Sequence, residues 1–195
     1  MVSAGQAPPP TPPERRASVT LMVFAYYNRL TRAQKRIYDR SDGVITVHLP
    51  QAASLSPLIG EIAEALKRED RGKTEAASQQ LVTALTDRLR VAPVHVEVLA
   101  KRPSRSWGEL YGLYSPADGR TPVRVTVWMR TAHRRQVVAF RTFLRTLLHE
   151  LCHHLDYELF DLKESFHTQG FYQRESNLFH QLVRDRDERP RVVKE

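Results

Sequence analysis

A five-residue motif, His-Glu-Leu-Cys-His at positions 149–153, constrains this chain more than any other feature. It lies within 136–160, a segment in which apolar residues recur every three or four positions, as they do along one side of an α-helix. On such a helix His149 and His153 are one turn apart and share a face. Two histidines in this arrangement are typical zinc ligands, and Glu150 beside them is placed to act as a general base.

The apolar stripe of this predicted helix consists of Phe140, Leu144, Leu147, Leu148, Leu151 and Leu155. At about 100° per residue, both motif histidines fall roughly a quarter to a third of a turn away from the stripe. We therefore expect their side chains to face sideways along a groove. Cys152 falls between the stripe and the histidine face and is predicted to be a small buried residue. His154 points toward the apolar side, where we expect it to be packed.

A catalytic zinc site needs a third protein ligand and one position for water. The metzincin pattern would place Gly at position 156 and His at position 159, whereas this chain has Asp156 and Leu159, which excludes that class. His167 and Glu175 are the two downstream candidates for the third ligand. We favour His167, because a histidine that leads a helix after a short loop can fold back onto the motif helix.

Three further residues are candidates for supporting roles. Asp156 falls on the metal-facing side of the predicted helix, where it would orient a ligand imidazole; a surface carboxylate is the alternative. Tyr172 and Arg174 lie in the next predicted helix and are candidates to stabilise an oxyanion. Packing in the core or on the surface is the alternative for both.

The rest of the chain alternates between helical and strand-like patterns. Apolar spacing predicts four more helices, over 26–40, 54–67, 75–90 and 168–184, with a loop at 68–74. Apolar or alternating runs predict strands over 44–49, 94–99, 109–114 and 123–129. The turn residues at 115–119 predict a hairpin between the last two strands. These elements predict an α+β fold with a small mixed or antiparallel sheet packed on helices.

Composition limits the class of protein. A chain of 195 residues, 41% apolar and 27% charged, suits one globular domain, which we place at 19–186 after a disordered Pro-rich segment, 1–18, and before a charged tail, 187–195. No apolar run approaches the roughly 20 residues of a membrane-spanning helix, so we expect no membrane association. The N-terminus lacks the apolar stretch of a secretory signal, and the single cysteine predicts a reducing cytoplasm.

The net charge of +8 is unevenly distributed along the chain. Ten Lys and Arg residues lie within 101–145 against two acids, Glu109 and Asp118, whereas 149–166 is mainly acidic. A basic flank beside an acidic metal-binding segment can attract nucleic acid or an acidic substrate. An arginine-rich solvated surface is the simpler interpretation.

Two predicted strands, a helix with the motif, a short loop and Phe-His-Thr-Gln-Gly-Phe at 166–171 together resemble the SprT-like metallopeptidases. In that family the third histidine opens the helix after the motif helix, which corresponds to His167. The resemblance covers about 75–183. It implies a compact α+β zincin-like fold in which the final strand borders the active-site cleft. SprT-like proteins usually carry a cysteine zinc ribbon as well, and the single cysteine excludes one here.

The motif and the resemblance predict a zinc-dependent peptidase that acts on peptides or proteins. His149, His153 and His167 would bind the zinc, and Glu150 would act as general base. The alternative is a nucleic-acid-associated protein with a structural or non-proteolytic metal site, for which the basic segment is the reason. A metallohydrolase of small molecules or nucleic acids is a third possibility. The strand at 123–129 is a candidate to pair with an extended substrate.

Overall fold

The structure, a computed structural model, describes residues 24–105 and 108–187. Five α-helices and five strands lie in these ranges, and the fold is therefore mixed α+β, as the sequence predicts. In chain order they are α1 (Arg32–Asp42), α2 (Ser56–Lys67), α3 (Arg71–Leu89), β1 (His95–Lys101), β2 (Ser104–Arg105), β3 (Gly108–Glu109), β4 (Gly112–Ser115), β5 (Arg124–Arg130), α4 (Phe140–Glu158) and α5 (Gln169–Asp187). Two short 3-10 helices, Ala25–Arg29 and Ala52–Leu55, precede α1 and α2.

Three of these strands form a mixed sheet in the order β1-β5-β4. β1 runs parallel to β5, with His95 opposite Arg124, and β4 runs antiparallel to β5, with Gly112 opposite Val127. β4 and β5 thus form the predicted hairpin. Since β5 is the central strand, the predictions that 123–129 borders the cleft or pairs with a substrate are wrong. The strand with an unpaired edge on this side of the described sheet is β4.

A continuous hydrophobic core joins the helices to the sheet. α3 packs against β1, α4 packs against β4 and β5, and α5 packs against α4. The predicted stripe of α4 is confirmed from Leu144 to Leu155, and Phe143 joins it, whereas Phe140 is only partly buried. Leu178 and Phe179 of α5 are fully buried as expected. Position within a helical period was therefore sufficient to predict which side of these helices faces the core.

The predicted strand at 44–49 is wrong. Its backbone bonds to amide side chains of α5 instead of to a neighbouring strand. The N–H of Val47 donates to Asn177 Oδ1 (3.1 Å), and Gln181 Nε2 donates to the carbonyl of Val47 (2.7 Å). The N–H of Leu49 donates to Gln181 Oε1 (3.1 Å). Side-chain amides satisfy the backbone here, which a run of β-branched residues does not reveal.

Two helix boundaries also differ from the prediction. α3 begins at Arg71, within the predicted loop 68–74, because Asp70 Oδ1 accepts a hydrogen bond from the N–H of Lys73 (3.0 Å). α1 begins at Arg32, after a capping box in which Thr31 and Gln34 bond to each other's backbone. Asp and Thr are favoured N-cap residues, so side-chain caps set both starts.

Some predictions concern regions that the structure leaves undescribed. The disordered segment predicted at 1–18 and nearly all of the charged tail predicted at 187–195 lie outside the described residues. Among the helices of the described ranges, none has the length and apolar character needed to cross a membrane.

α1 fixes both ends of the loop between α4 and α5. The guanidinium of Arg40 donates to the carbonyls of Phe160 (2.6 Å) and Asp161 (3.3 Å), just after the C-terminus of α4. Asp42 Oδ1 accepts from the N–H of Gly170 (2.8 Å), at the start of α5. Backbone groups at helix ends have no partner within the helix, so these contacts both satisfy them and position the loop.

Gly170 allows α1 and α5 to approach this closely. A Cβ at this position would lie 2.7 Å and 2.8 Å from the carbonyl carbon and Cα of Asp42. We expect Gly170→Ala to lower the free energy of unfolding by about 1–3 kcal/mol, because the backbone of α1 must move. Urea denaturation measures this change.

Gly72→Ala in α3 is the matched control. A Cβ there would have ordinary contact, 3.7 Å, with Asp70 Oδ1. We expect it to leave the protein unchanged or to stabilise it by up to about 1 kcal/mol, because alanine favours a helix over glycine. If both substitutions changed stability equally, the close approach at Gly170 would not matter.

Candidate metal centre

Three histidines converge at one point on the surface of α4. The Nε2 atoms of His149 and His167 are 3.0 Å apart, and those of His167 and His153 are 3.1 Å apart. All three potential ligand atoms lie within 4.8 Å of one another. Zinc–nitrogen bonds of about 2.0–2.1 Å at tetrahedral angles separate ligand atoms by roughly 3.3 Å. The three imidazoles therefore fit a single ion, with a fourth ligand position left for water.

The sequence around His167 explains how the third histidine reaches the other two. Thr168 Oγ1 accepts from the N–H of Phe171 (3.0 Å), which begins α5 directly after the histidine. The ring of Phe171 contacts all three imidazoles, with centroid distances of 5.0 Å to His149, 4.8 Å to His153 and 5.1 Å to His167. The segment 166–171 thus combines a ligand, a helix cap and a supporting ring.

Glu175 orients His149 from the side opposite to the convergence point. Its Oε2 lies 3.0 Å from His149 Nδ1. A carboxylate only accepts hydrogen bonds, so Nδ1 carries the proton and Nε2 keeps its lone pair toward the other histidines. This position, behind a ligand, is typical of a group that orients a metal ligand. The sequence had offered Glu175 as a candidate for the third ligand itself.

His153 is oriented by Asp156 through Ser165. Ser165 Oγ donates to Asp156 Oδ2 (2.6 Å) and lies 2.7 Å from His153 Nδ1. Since the serine proton is used on Asp156, Oγ accepts from Nδ1–H, and Nε2 of His153 keeps its lone pair. Asp156 is fully buried, so the alternative of a surface carboxylate is wrong. Ser165 was missed, because only the folding of its loop onto α4 brings it to the histidine.

The environment keeps two of the three histidines neutral. Burial, together with the neighbouring His167 and His149, lowers the pKa of His153 to about 3. Burial and His149 lower the pKa of His167 to about 4. Neutral imidazole is the form that binds metal ions, so these side chains need not lose a proton at neutral pH before they bind one.

Glu150 is buried between α4 and the edge strand β4. Burial raises its pKa to about 7, against the lowering effects of His149 and the Tyr114 backbone, and Glu175 raises it further. A Cβ at Gly112 would lie 2.6 Å from Glu150 Cγ and 2.7 Å from Cδ, so only glycine leaves room for this carboxyl group. A carboxyl with a pKa near neutrality can both accept and return a proton.

A cleft of about 380 Å³ opens beside Glu150. Leu110, Tyr111 and Gly112 line it on the strand side, and Arg145 and Glu150 line it on the α4 side. The cleft therefore runs along the segment that leads into β4 and reaches His149, one of the three histidines.

The predicted oxyanion role of Arg174 is wrong. Its side chain is fully buried, and Nη1 donates to the carbonyls of Ser41 and Val44 at 3.0 Å each. Nη2 donates to Asp156 Oδ1 (2.6 Å). A guanidinium enclosed in this way does not reach a substrate, and it positions Asp156 instead.

Tyr172 lies at the site and is accessible. The residue is 44% exposed, and its ring stacks on that of His167 with a centroid distance of 5.8 Å and an interplanar angle of 19°. Burial and the charge of Glu175 raise the pKa of the Tyr172 hydroxyl, which therefore keeps its proton and can donate a hydrogen bond.

Two other residues of α4 are packed in the core, as predicted. His154 is fully buried, with Nε2 2.8 Å from the carbonyl of Ala92 and Nδ1 3.3 Å from the Tyr114 hydroxyl. Cys152 is also fully buried, and burial raises the pKa of its thiol.

The basic segment 101–145 contributes part of its charge to contacts within the fold. Among its described side chains, arginines pair with glutamates at three places: Arg124 with Glu97, Arg130 with Glu69, and Arg145 with Glu175. These pairs reduce the charge that the segment presents to other molecules. Binding of nucleic acid through it stays a prediction.

Two aromatic residues that precede α1, Phe24 and Tyr26, support the site, although the sequence pattern assigned them no role. The hydroxyl of Tyr26 donates to the carbonyl of His167 (2.9 Å). Its ring stacks on Phe166 with a centroid distance of 6.4 Å, and Phe24 lies 6.0 Å from Tyr172. The aromatic run at 24–27 was the available signal, since such rings need partners to be buried.

Comparison of the chain with family models, with curated proteins and with solved structures found no match. The resemblance to the SprT-like metallopeptidases therefore depends on the motif residues and stays a prediction.

The geometry predicts different effects for His167 and Glu175. We expect His167→Ala to lose stoichiometric zinc, because it removes one of three converging nitrogens. Glu175→Ala should keep one zinc ion with an affinity about 10–100-fold lower, as is typical when a group that orients a ligand is removed. Metal content after dialysis and competition with a chelator measure both effects.

His180→Ala is the control, because His180 is an exposed histidine of the same helix. It should bind zinc like the unmodified protein. Loss of zinc from Glu175→Ala together with retention by His167→Ala would contradict this ligand set and favour the carboxylate as third ligand.

Ser165→Ala should also weaken zinc binding by about 10–100-fold, because His153 loses the hydrogen bond that orients its ring. Ser54→Ala, which removes an exposed hydroxyl bonded to the carbonyl of Gln51, should have no effect. Calorimetric titration with zinc compares the two variants. Equal affinities would show that the link from Asp156 through Ser165 does not contribute.

Proposed function

We propose that this protein is a zinc-dependent metallopeptidase, similar to the SprT-like family, that hydrolyses peptide bonds in peptides or proteins. His149, His153 and His167 bind the zinc ion through Nε2. The observation that carries the proposal is the convergence of these three nitrogens beside a buried glutamate. A three-histidine set with a fourth position for water suits catalytic zinc.

The chemistry is divided between the metal and Glu150. Zinc held by His149, His153 and His167 would supply a Lewis acid for the substrate carbonyl and would lower the pKa of a water molecule to about 7. Glu150 takes one proton from the attacking water onto its carboxylate and later delivers it to the nitrogen of the leaving amine. Burial, which raises the pKa of the Glu150 carboxyl, favours the return of the proton. Gly112 keeps this carboxylate close to the strand along which the substrate binds.

The edge of β4 is the proposed binding position for the substrate backbone. An extended peptide adds to an unpaired strand edge through main-chain hydrogen bonds, which do not depend on side-chain identity. The same strand contacts Glu150 through Gly112. Tyr172 on the other side of the histidines donates a hydrogen bond to the oxyanion that forms at the carbonyl.

Glu150→Gln is the decisive variant. We expect it to reduce kcat/KM for peptide cleavage by about 10²–10⁴-fold, because the amide cannot accept the proton. Zinc content should be unchanged, since the three histidines remain. Mass spectrometry of an unbiased peptide mixture detects cleavage, and elemental analysis measures zinc.

Glu158→Gln, an exposed glutamate at the end of α4, is the matched control and should cleave normally. Full cleavage by Glu150→Gln with zinc still bound would make the proposed mechanism wrong. Absence of any cleavage, combined with steeply salt-dependent DNA binding that survives removal of zinc, would favour the nucleic-acid-associated alternative.

A further inference from the structure

Arg145 places a positive charge in the cleft next to the histidines. It precedes His149 by one turn of α4, and its side chain is 40% exposed. Among the described residues that line the cleft, Arg145 is the only lysine or arginine. A cation in a concave site raises the local concentration of negatively charged groups.

The guanidinium of Arg145 is held in place, but its contacts leave some of its N–H donors available. It lies over the ring of Phe179, with its Cζ 4.1 Å from the ring centroid. Its ion pair with Glu175 Oε1 is long, at 3.4 Å, and Glu175 Oε2 is engaged with His149. Arginine has five N–H donors, so one such contact leaves others for a second carboxylate.

Contacts between β4 and α4 indicate how far Arg145 lies from the place beside Glu150 where a substrate peptide bond would be cleaved. Gly112 lies against Glu150, and farther along both elements the ring of Tyr114 lies 5.9 Å from that of Tyr157. β4 and α4 therefore advance in the same direction along the cleft. The five residues from Arg145 to Glu150 rise about 7.5 Å along the helix, and an extended peptide covers about 3.3 Å per residue, so Arg145 is about two residues from a bond at Glu150.

We propose that Arg145 binds a carboxylate of the substrate about two residues from the cleaved bond, on the side toward Leu110 and Tyr111. The carboxylate belongs to an Asp or Glu side chain or to the C-terminus of a short peptide. The site then prefers acidic peptides over neutral ones at that position. This inference rests on the proposed function and adds a substrate class to it.

The test uses a sequence that the protein cleaves in an unbiased peptide mixture. Peptides are made with Glu, Gln or Lys two residues from the cleaved bond, on each side in turn. A second set ends at that residue with a free or an amidated C-terminus. We expect kcat/KM to be about tenfold higher for Glu than for Gln, or for the free over the amidated end, as for a hydrogen bond between charged groups.

Arg145→Gln should abolish this preference. Arg141→Gln is the matched control, because Arg141 precedes Arg145 by one turn and also lies over Phe179, at 5.1 Å, without lining the cleft. It should keep the full preference. If Arg145→Gln loses zinc, Arg145→Lys replaces it, and we expect a smaller preference because an ammonium group lacks the two-pronged geometry of arginine.

The outcomes separate this inference from the proposed function. Cleavage of Glu and Gln peptides at equal rates, together with equal rates for free and amidated ends, overturns the inference and leaves the peptidase intact. A preference that persists in Arg145→Gln, or is undiminished in Arg145→Lys, also overturns it. Cleavage of no peptide at all overturns the proposed function and, with it, the inference.

Discussion

A fully buried ion pair between Arg174 and Asp156 is the interaction on which the candidate site depends. An unpaired charge in this position would cost several kcal/mol, so α4 and α5 must pack in the register that brings the two groups together. Arg174 also donates to the carbonyl of Ser41, which places the end of α1. The second carboxylate oxygen of Asp156 accepts a hydrogen bond from Ser165, whose hydroxyl oxygen in turn accepts one from His153. One pair thus positions three helices and one histidine.

The other parts of the site are organised by the same packing. α1 contacts both ends of the loop that carries His167, and the edge strand β4 encloses Glu150 through Gly112. Glu175 and the Ser165 hydroxyl determine which nitrogen of the two motif histidines carries the proton. The Nε2 lone pairs of His149 and His153 therefore point toward the same place before any metal binds. Groups that orient ligands in this way raise the affinity for a metal ion.

Local patterns predicted all five described helices and, with shifted bounds, the three strands of the mixed sheet, because helical and strand periods depend only on nearby residues. The strand predicted at 44–49 was wrong because Asn177 and Gln181, far away in the chain, satisfy its backbone. The central position of β5 was also missed. Neighbours in a sheet are set by contacts between distant segments, and alternation along one strand does not encode them.

The sequence by itself determined that His149, Glu150 and His153 lie together, because a helical turn places residues four apart on one face. It also indicated His167, through its place before a helix. Only the tertiary structure decided that Ser165 supports a histidine and that Arg174 turns inward. Both contacts join separate elements, so they depend on how the helices, loop and strands pack against one another.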